Sequence, residues 1–256
     1  MAALGRGAIG LGALGGAILA TLAAVVVLSP VQKPHPAVAG ETVYAAAKGE
    51  RRTVRLSDGT EIDLSSASRV SVRLTPYARR VTLTDGEAAF LVTHDPSRPF
   101  TVIVGDREVR DLGTEFDIRL AGSQIRISVR QGLVEVADHD GRKDAPIPLS
   151  AGRQLLHDEG SDVSTVRSVA VADVFAWKQG RLIYRDQPLG VVVDDLNRYF
   201  THTVRIEGER AAGLRFTGVL AVDGEDATIR RLEELLPISA TRVNGATVLK
   251  ARDEPR

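Results

Sequence analysis

The histidines at positions 35, 94, 139, 157 and 202 are the first residues to test for chemistry. None stands at the HxH or HxxxH spacing that presents two imidazoles to one metal ion, so they read as unclustered surface or turn residues. His94-Asp95 has the types of a general base and its orienting carboxylate. No nucleophile signature accompanies the pair, and Pro96 makes a turn the simpler reading. Asp194 and Asp195 are adjacent on an expected helix, where neighbouring side chains diverge by about 100° and form no carboxylate pair. They read as a solvated face. The glycine-rich "GLGALGG" near the start lacks the preceding strand and following lysine of a phosphate loop. There is no cysteine, which removes thiolate catalysis, disulfides and Cys-ligated metal. Catalytic, metal and cofactor sites are therefore all assigned as none. What remains is recognition chemistry: strands whose unpaired backbone N–H and C=O groups could accept a partner's strand.

The candidate strands lie in a module that begins near residue 172. "RLIY" is followed by Pro188, which suits a first helical turn, and by Leu189, Val192, Val193, Leu196 and Phe200 at helical spacing. These apolar positions are most simply core. "TVRIEG", "LRFTGVLAV", the helix "DATIRRLEELL" stopped by Pro237, and a hairpin about Asn244-Gly245 complete the module. The order is βαβ followed by βαβ(β), an α+β double-βαβ unit over residues 172–256 in which each half buries one helix against a small sheet. Docking is assigned to Arg181, Leu182, Ile183 and Tyr184 on one strand and to Arg215, Phe216, Thr217, Gly218, Val219 and Leu220 on another. Trp177 and Phe200 are expected to pack the strand against its helix.

Residues 42–165 show period-two patterning instead. "TVRLSDGTEIDL" places Val54, Leu56, Ile62 and Leu64 on one face around Asp58-Gly59, and "VTLTDGEAAFLV" repeats the pattern around Asp85-Gly86. "FDIRL" alternates, "QIRISVRQGLVEV" gives two strands broken at Gln131-Gly132, and Asp140-Gly141 turns again. This is an all-β module, either a sandwich or a solenoid of stacked hairpins, with the recurrent V-x-L-x-D-G leaning towards repeats.

Upstream, Gly7 to Leu28 carries no charge. A helix of that length spans about 33 Å, enough for a bilayer core of about 30 Å. An N-terminal transmembrane anchor over residues 1–29 is favoured over a cleaved signal peptide, whose small-residue site could be Ala37–Ala39. Residues 30–41 form a stiff, Pro-rich linker. The 33 basic and 33 acidic residues balance, which argues against nucleic acid as a partner of the whole chain.

The ordered motifs "LSDGTEIDLSSASRVSV", "LTDGEAAFLVTHDPSRPFTV", "VRDLGTEFDIR", "VRQGLVEV", "LSAGRQL" and "AWKQGRLIYRDQPLGVVVDDLNRYF" resemble the FecR family, the membrane-spanning anti-sigma regulators of Gram-negative bacteria. The last of these, with "FTGVLAVDGEDATIRRLEELL" after it, is similar to the short N-terminal domain of secretins and TonB-dependent receptors. The resemblance implies a single-pass protein of the bacterial inner membrane with most of its chain in the periplasm. It also implies docking of a TonB-dependent outer-membrane receptor's signalling domain and control of an extracytoplasmic-function sigma factor. Gly59, Gly86 and Gly113 are read as serving turns or close backbone approach. The family carries a helical cytoplasmic domain before its membrane helix, whereas "MAALGR" alone precedes the apolar run here. Either the start is incomplete, or the sigma-binding part is a separate chain, or the output differs. The rival reading is an exported β-rich module that binds carbohydrate or peptidoglycan, weakened by the scarcity of aromatic residues.

Overall fold

The computed structural model describes residues 40–111, 113–139 and 145–252. The apolar segment 7–28, most of the linker and the Asp140-Gly141 turn lie outside them. No helix of the described residues is long and apolar enough to cross a membrane.

Residues 42–168 form a 13-stranded, curled sheet. Its strands are β1 (Thr42–Ala46), β2 (Arg52–Arg55), β3 (Glu61–Leu64), β4 (Ser68–Leu74), β5 (Arg79–Leu91), β6 (Phe100–Val104), β7 (Arg107–Asp111), β8 (Glu115–Ala121), β9 (Gln124–Gln131), β10 (Leu133–Asp138), β11 (Ile147–Ser150), β12 (Arg153–Asp158) and β13 (Ser164–Ser168). One layer runs β1-β4-β5-β6-β7-β10-β11 and the other β2-β3-β5-β8-β9-β12-β13. Strand β5 belongs to both: Arg79–Asp85 pairs with β4 and β6, and Gly86–Leu91 with β3 and β8.

This corrects one expectation. Asp58-Gly59 does turn the β2–β3 hairpin, but Asp85-Gly86 makes no turn. It is a bulge within one 13-residue strand, where the register with β4 shifts and Gly86 takes φ 87°. A Cβ on Gly86 would lie 2.2 Å from Ser68 Oγ and 2.7 Å from Ala67 O. Glycine is needed there for both the left-handed backbone and the close approach. The two V-x-L-x-D-G words thus do different work and mark no repeat. Gln131-Gly132 does break two strands, sending β9 to one layer and β10 to the other. Alternating residues of the two layers meet in one core, where Phe90 stacks on Phe116 at 5.0 Å and meets Phe100 edge-on at 6.2 Å. Each such buried ring contributes about 1.5–3 kcal/mol.

The remainder comprises α1 (Val171–Val174), a 3-10 turn (Phe175–Gln179), β14 (Arg181–Pro188), α2 (Leu189–Tyr199), β15 (Val204–Glu207), α3 (Glu209–Ala212), β16 (Arg215–Ala221), α4 (Glu225–Leu235), β17 (Ile238–Val243) and β18 (Ala246–Ala251). The order matches the double-βαβ expectation, but the pairing is interleaved. Strand β14 pairs with β16 as a two-stranded antiparallel ribbon, while β15 lies parallel to β18, which also pairs with β17. Each sheet therefore draws strands from both halves, so the halves do not bury their helices on sheets of their own. Leu189, Val192, Val193 and Leu196 face a second core, as their helical spacing predicts. Asn244-Gly245, both at positive φ, turns the β17–β18 hairpin.

Candidate functional site

Ladder geometry decides which backbone groups are free. The Val222 N–H donates to Gly180 O at 2.9 Å, and the register then pairs Leu182 with Leu220 and Tyr184 with Gly218. Hydrogen-bonded and non-bonded pairs alternate in an antiparallel ladder. Leu182 and Tyr184 therefore spend their backbone groups on β16, and Arg181 and Ile183 turn theirs away. On β16 the outward residues are Thr217, Val219 and Ala221. Ala221 O indeed accepts from Thr228 Oγ1 (2.8 Å) and Arg231 Nη1 (3.1 Å) of α4. Both strands assigned to docking are thus sheet edges. Leu182, Tyr184, Phe216 and Leu220 point into the core, whereas Arg181, Arg215, Thr217 and Val219 are exposed and Ile183 and Gly218 half-exposed. Beyond Tyr184 the ribbon bulges at Asp186, which takes φ 49°. The bulge is tied by Asp186 N–H to Thr217 Oγ1 (2.8 Å) and by Arg215 Nε to Asp186 Oδ1 (2.6 Å).

The outer edge of β14 lines a groove of about 540 Å³. Its opposite wall is the outer face of the β8-β9-β12-β13 layer, which presents Asp117, Arg119, Arg126, Gln154 and Arg167. Most of these groups are already engaged. Arg119 is ion-paired with Asp195, Gln154 Oε1 accepts from Arg167 at 2.8 and 3.0 Å, and the Trp177 indole donates to Asp117 Oδ2 at 3.0 Å. Arg126 makes no hydrogen bond or ion pair with any described residue. Burial pulls its pKa down to about 10, assisted by Arg119 and opposed by Glu87 and Asp117. Burial, then the nearby Glu87 charge, pushes the Asp117 carboxyl well above the usual range despite the Trp177 hydrogen bond.

Two sequence expectations need correction at this groove. Asp194 is exposed, but Asp195 is not on a solvated face. It is buried under α2, where it pairs with Arg119 of β8 and accepts from Tyr184 OH at 3.2 Å. Trp177 does more than pack strand on helix, since its N–H reaches across to β8. Phe200 lies in the second core as expected. The α2 end and the 3-10 turn are further fastened to the curled sheet. Tyr199 OH meets Ser65 Oγ at 3.0 Å, Ser66 Oγ donates to Arg198 O at 2.6 Å, and Lys178 Nζ lies 2.6 Å from Asp63. None of these long-range partners is signalled by local spacing.

A third correction concerns His157, which is buried rather than at a surface. Its Nε2 lies 3.0 Å from Asp106 Oδ1, and Arg107 Nη2 lies 3.2 Å from its Nδ1. His94 packs against Gly113, and Asp95 accepts from Ser97 and Arg98 across the Pro96 turn. The Ser97 hydroxyl, then Arg98, holds the Asp95 carboxyl down at about 2. Both groups are thus used locally. Among the described residues, no three His, Asp or Glu side chains gather as a metal site. Of the aromatic rings, Tyr77 alone is exposed, which leaves no stacked platform for a sugar.

Residues 42–135 match the family described as FecR protein. Two crystal structures of a Parabacteroides distasonis protein described as a "putative anti-sigma factor" superpose with a TM-score of 0.73 at 23% identity. The match covers 83% of this chain and 100% of the other. At that identity the likeness is one of fold. No curated protein matches the chain.

Proposed function

Taking as premise that residues 42–135 form a domain of the FecR family, we propose that the chain regulates a sigma factor by receiving a signal at its C-terminal ribbon. The partner is the periplasmic signalling domain of a TonB-dependent outer-membrane receptor, docked by strand addition. The protein is not an enzyme in this reading. It sits in the bacterial inner membrane through residues 7–28, with the remainder periplasmic, and its output is an extracytoplasmic-function sigma factor. The FecR domain and the anti-sigma description of the structural neighbour support the regulatory half of the reading. One observation carries the docking half: among the described residues β14 and β16 pair only with each other, so the ribbon offers two outer edges with backbone groups at Ile183, Thr217 and Val219 that no described strand pairs.

The test is binding of the isolated receptor signalling domain to the purified chain by calorimetry. Pro at Ile183 removes one outward N–H without touching the ladder between the strands. Pro at Thr217 does so while also removing the Oγ1 that accepts from Asp186 N–H, so Thr217→Val serves as its control. Each variant's fold is checked by the emission of Trp177. Loss of binding in one of them identifies the docking edge. Full affinity in both folded variants would rule out strand addition on this ribbon.

A further inference from the structure

Not every edge of the C-terminal module is open to the same extent. The β17 edge is closed at Ala240, whose N–H donates to Glu233 Oε1 at 2.7 Å. The β16 edge is partly closed by α4, which takes Ala221 O. Among the described residues nothing covers the β14 edge in this way at Arg181 and Ile183. It faces the groove of about 540 Å³, whose far wall carries Arg126, a guanidinium that feels the Glu87 and Asp117 charges but makes no hydrogen bond or close ion pair among the described residues.

We propose that this groove binds an extended peptide segment, which adds as a third strand on the Arg181–Tyr184 edge of β14 and seats a carboxylate side chain on Arg126. The inference deepens the docking reading above by choosing β14 over β16 and by assigning the chemistry of the incoming strand. Charge complementarity selects that chemistry. The wall's other guanidiniums are occupied, Arg119 by Asp195 and Arg167 by Gln154, as is that of Arg185 on β14 by Asp173. Gln154 is neutral, so Arg167 keeps its charge, and among the described residues Arg181 bonds only the neutral Gln179. The lining sets Arg119, Arg126, Arg167, Arg181 and Arg185 against Glu87, Asp117, Asp173 and Asp195, a positive surplus in which Arg126 is the guanidinium with no hydrogen-bond acceptor. A basic side chain would meet like charge at short range, and a neutral one would leave the guanidinium without its fork of acceptors. Backbone pairing supplies sequence-independent affinity, and Arg126 supplies the selection. The bulge after Tyr184 limits the added strand, because the register shifts between Tyr184 and Gln187. The segment pairs over Arg181–Tyr184 and then diverges.

The probes are two acetylated, amidated heptapeptides of alternating Thr and Val, one with a central Glu and the other with a central Lys. Fluorescence anisotropy gives their affinities for the full chain in detergent, and hydrogen exchange locates the protected amides. A carboxylate–guanidinium contact in a partly desolvated groove predicts a preference for Glu of roughly 10-fold or more. Protection is expected on Arg181–Tyr184. Arg126→Gln should bring the Glu-to-Lys ratio close to one while keeping Trp177 emission native, and Ile183→Pro should abolish both affinities. Equal affinities of the two peptides for the unmodified chain, or protection on β16 or β17, would overturn the proposal. A receptor domain that loses binding with Val219→Pro but not Ile183→Pro would keep the docking reading and sink this one. Peptide selection at Arg126 without any receptor binding would do the reverse.

Discussion

Replacing Asp195 by Ala removes a carboxylate that is only 8% exposed and leaves two partners behind. Those partners are the Arg119 guanidinium on β8, itself 12% exposed, and the Tyr184 hydroxyl on β14. Breaking a buried pair from one side strands the surviving charge, which costs about 3–5 kcal/mol. Arg119→Met should cost a similar amount, since it strands Asp195. The double variant, Asp195→Leu with Arg119→Met, leaves no unpaired charge and should cost much less than the sum, with coupling of roughly 2–3 kcal/mol. The assay is urea unfolding followed through Trp177. It is the single tryptophan of the chain, and it lines the same groove as the pair, with its own hydrogen bond to Asp117. With a urea slope of about 2 kcal/mol/M, the single variants should lower the midpoint by about 1.5–2.5 M. A midpoint within about 0.3 M of the parent for Asp195→Ala, or strict additivity in the double variant, would refute the idea that the pair is what fastens α2 to the curled sheet.

Three other outcomes follow from the same contacts. Asp117 has its carboxyl pKa raised by burial and by Glu87, so its folded value lies above the unfolded one of 3.8. Its contribution to stability is complete below that unfolded value and is lost as pH rises through the folded one. Asp117→Asn should therefore be more stable than the parent at pH 7 and indistinguishable from it near pH 3, as read from urea midpoints at both pH values. Gly86→Ala should cost at least about 2 kcal/mol, from left-handed strain plus overlap with Ser68. Gly122→Ala, also at positive φ but with nothing within 4 Å, should show the strain alone, about 1 kcal/mol, in parallel thermal melts. Asp106→Ala should remove both the His157 Nε2 contact and the acceptor of the Gly160 N–H. The expected result is faster proteolysis of the β12–β13 turn with receptor-domain affinity unchanged.

Much of the architecture was legible because it is periodic. Alternation marked the strands of the curled sheet, and Leu189, Val192, Val193 and Leu196 marked the buried face of α2. Pairing was not legible in the same way. That β14 joins β16, and β15 joins β18, is a long-range choice that no local spacing encodes. The Asp-Gly word failed at residues 85–86 for a definite reason: a left-handed glycine suits a tight turn and a bulge equally well, and only the neighbouring Ser68 backbone distinguishes them. For Asp194 and Asp195, helical geometry correctly separated the two side chains but was silent on which one meets Arg119. Patterning offered β14 and β16 as candidate strands without deciding whether either lies at an edge, and Arg126, on a strand more than 50 residues upstream of β14 by simple numbering, came to the groove only through the tertiary fold.

The interleaved pairing of the C-terminal module has a bearing on how the chain responds to being cut. The segment Glu207–Arg210 is exposed and sits between the two halves, the sort of site where a protease enters. A nick there would separate β14, α2 and β15 from β16, α4, β17 and β18 in covalent terms alone. Each fragment would still hold one strand of the ribbon and part of the three-stranded sheet, and both would share the second core. The cleaved module should thus stay assembled as a two-piece complex, with its groove intact and its N-terminal piece still joined to the curled sheet. Cleavage at this position would sever the polypeptide without releasing anything.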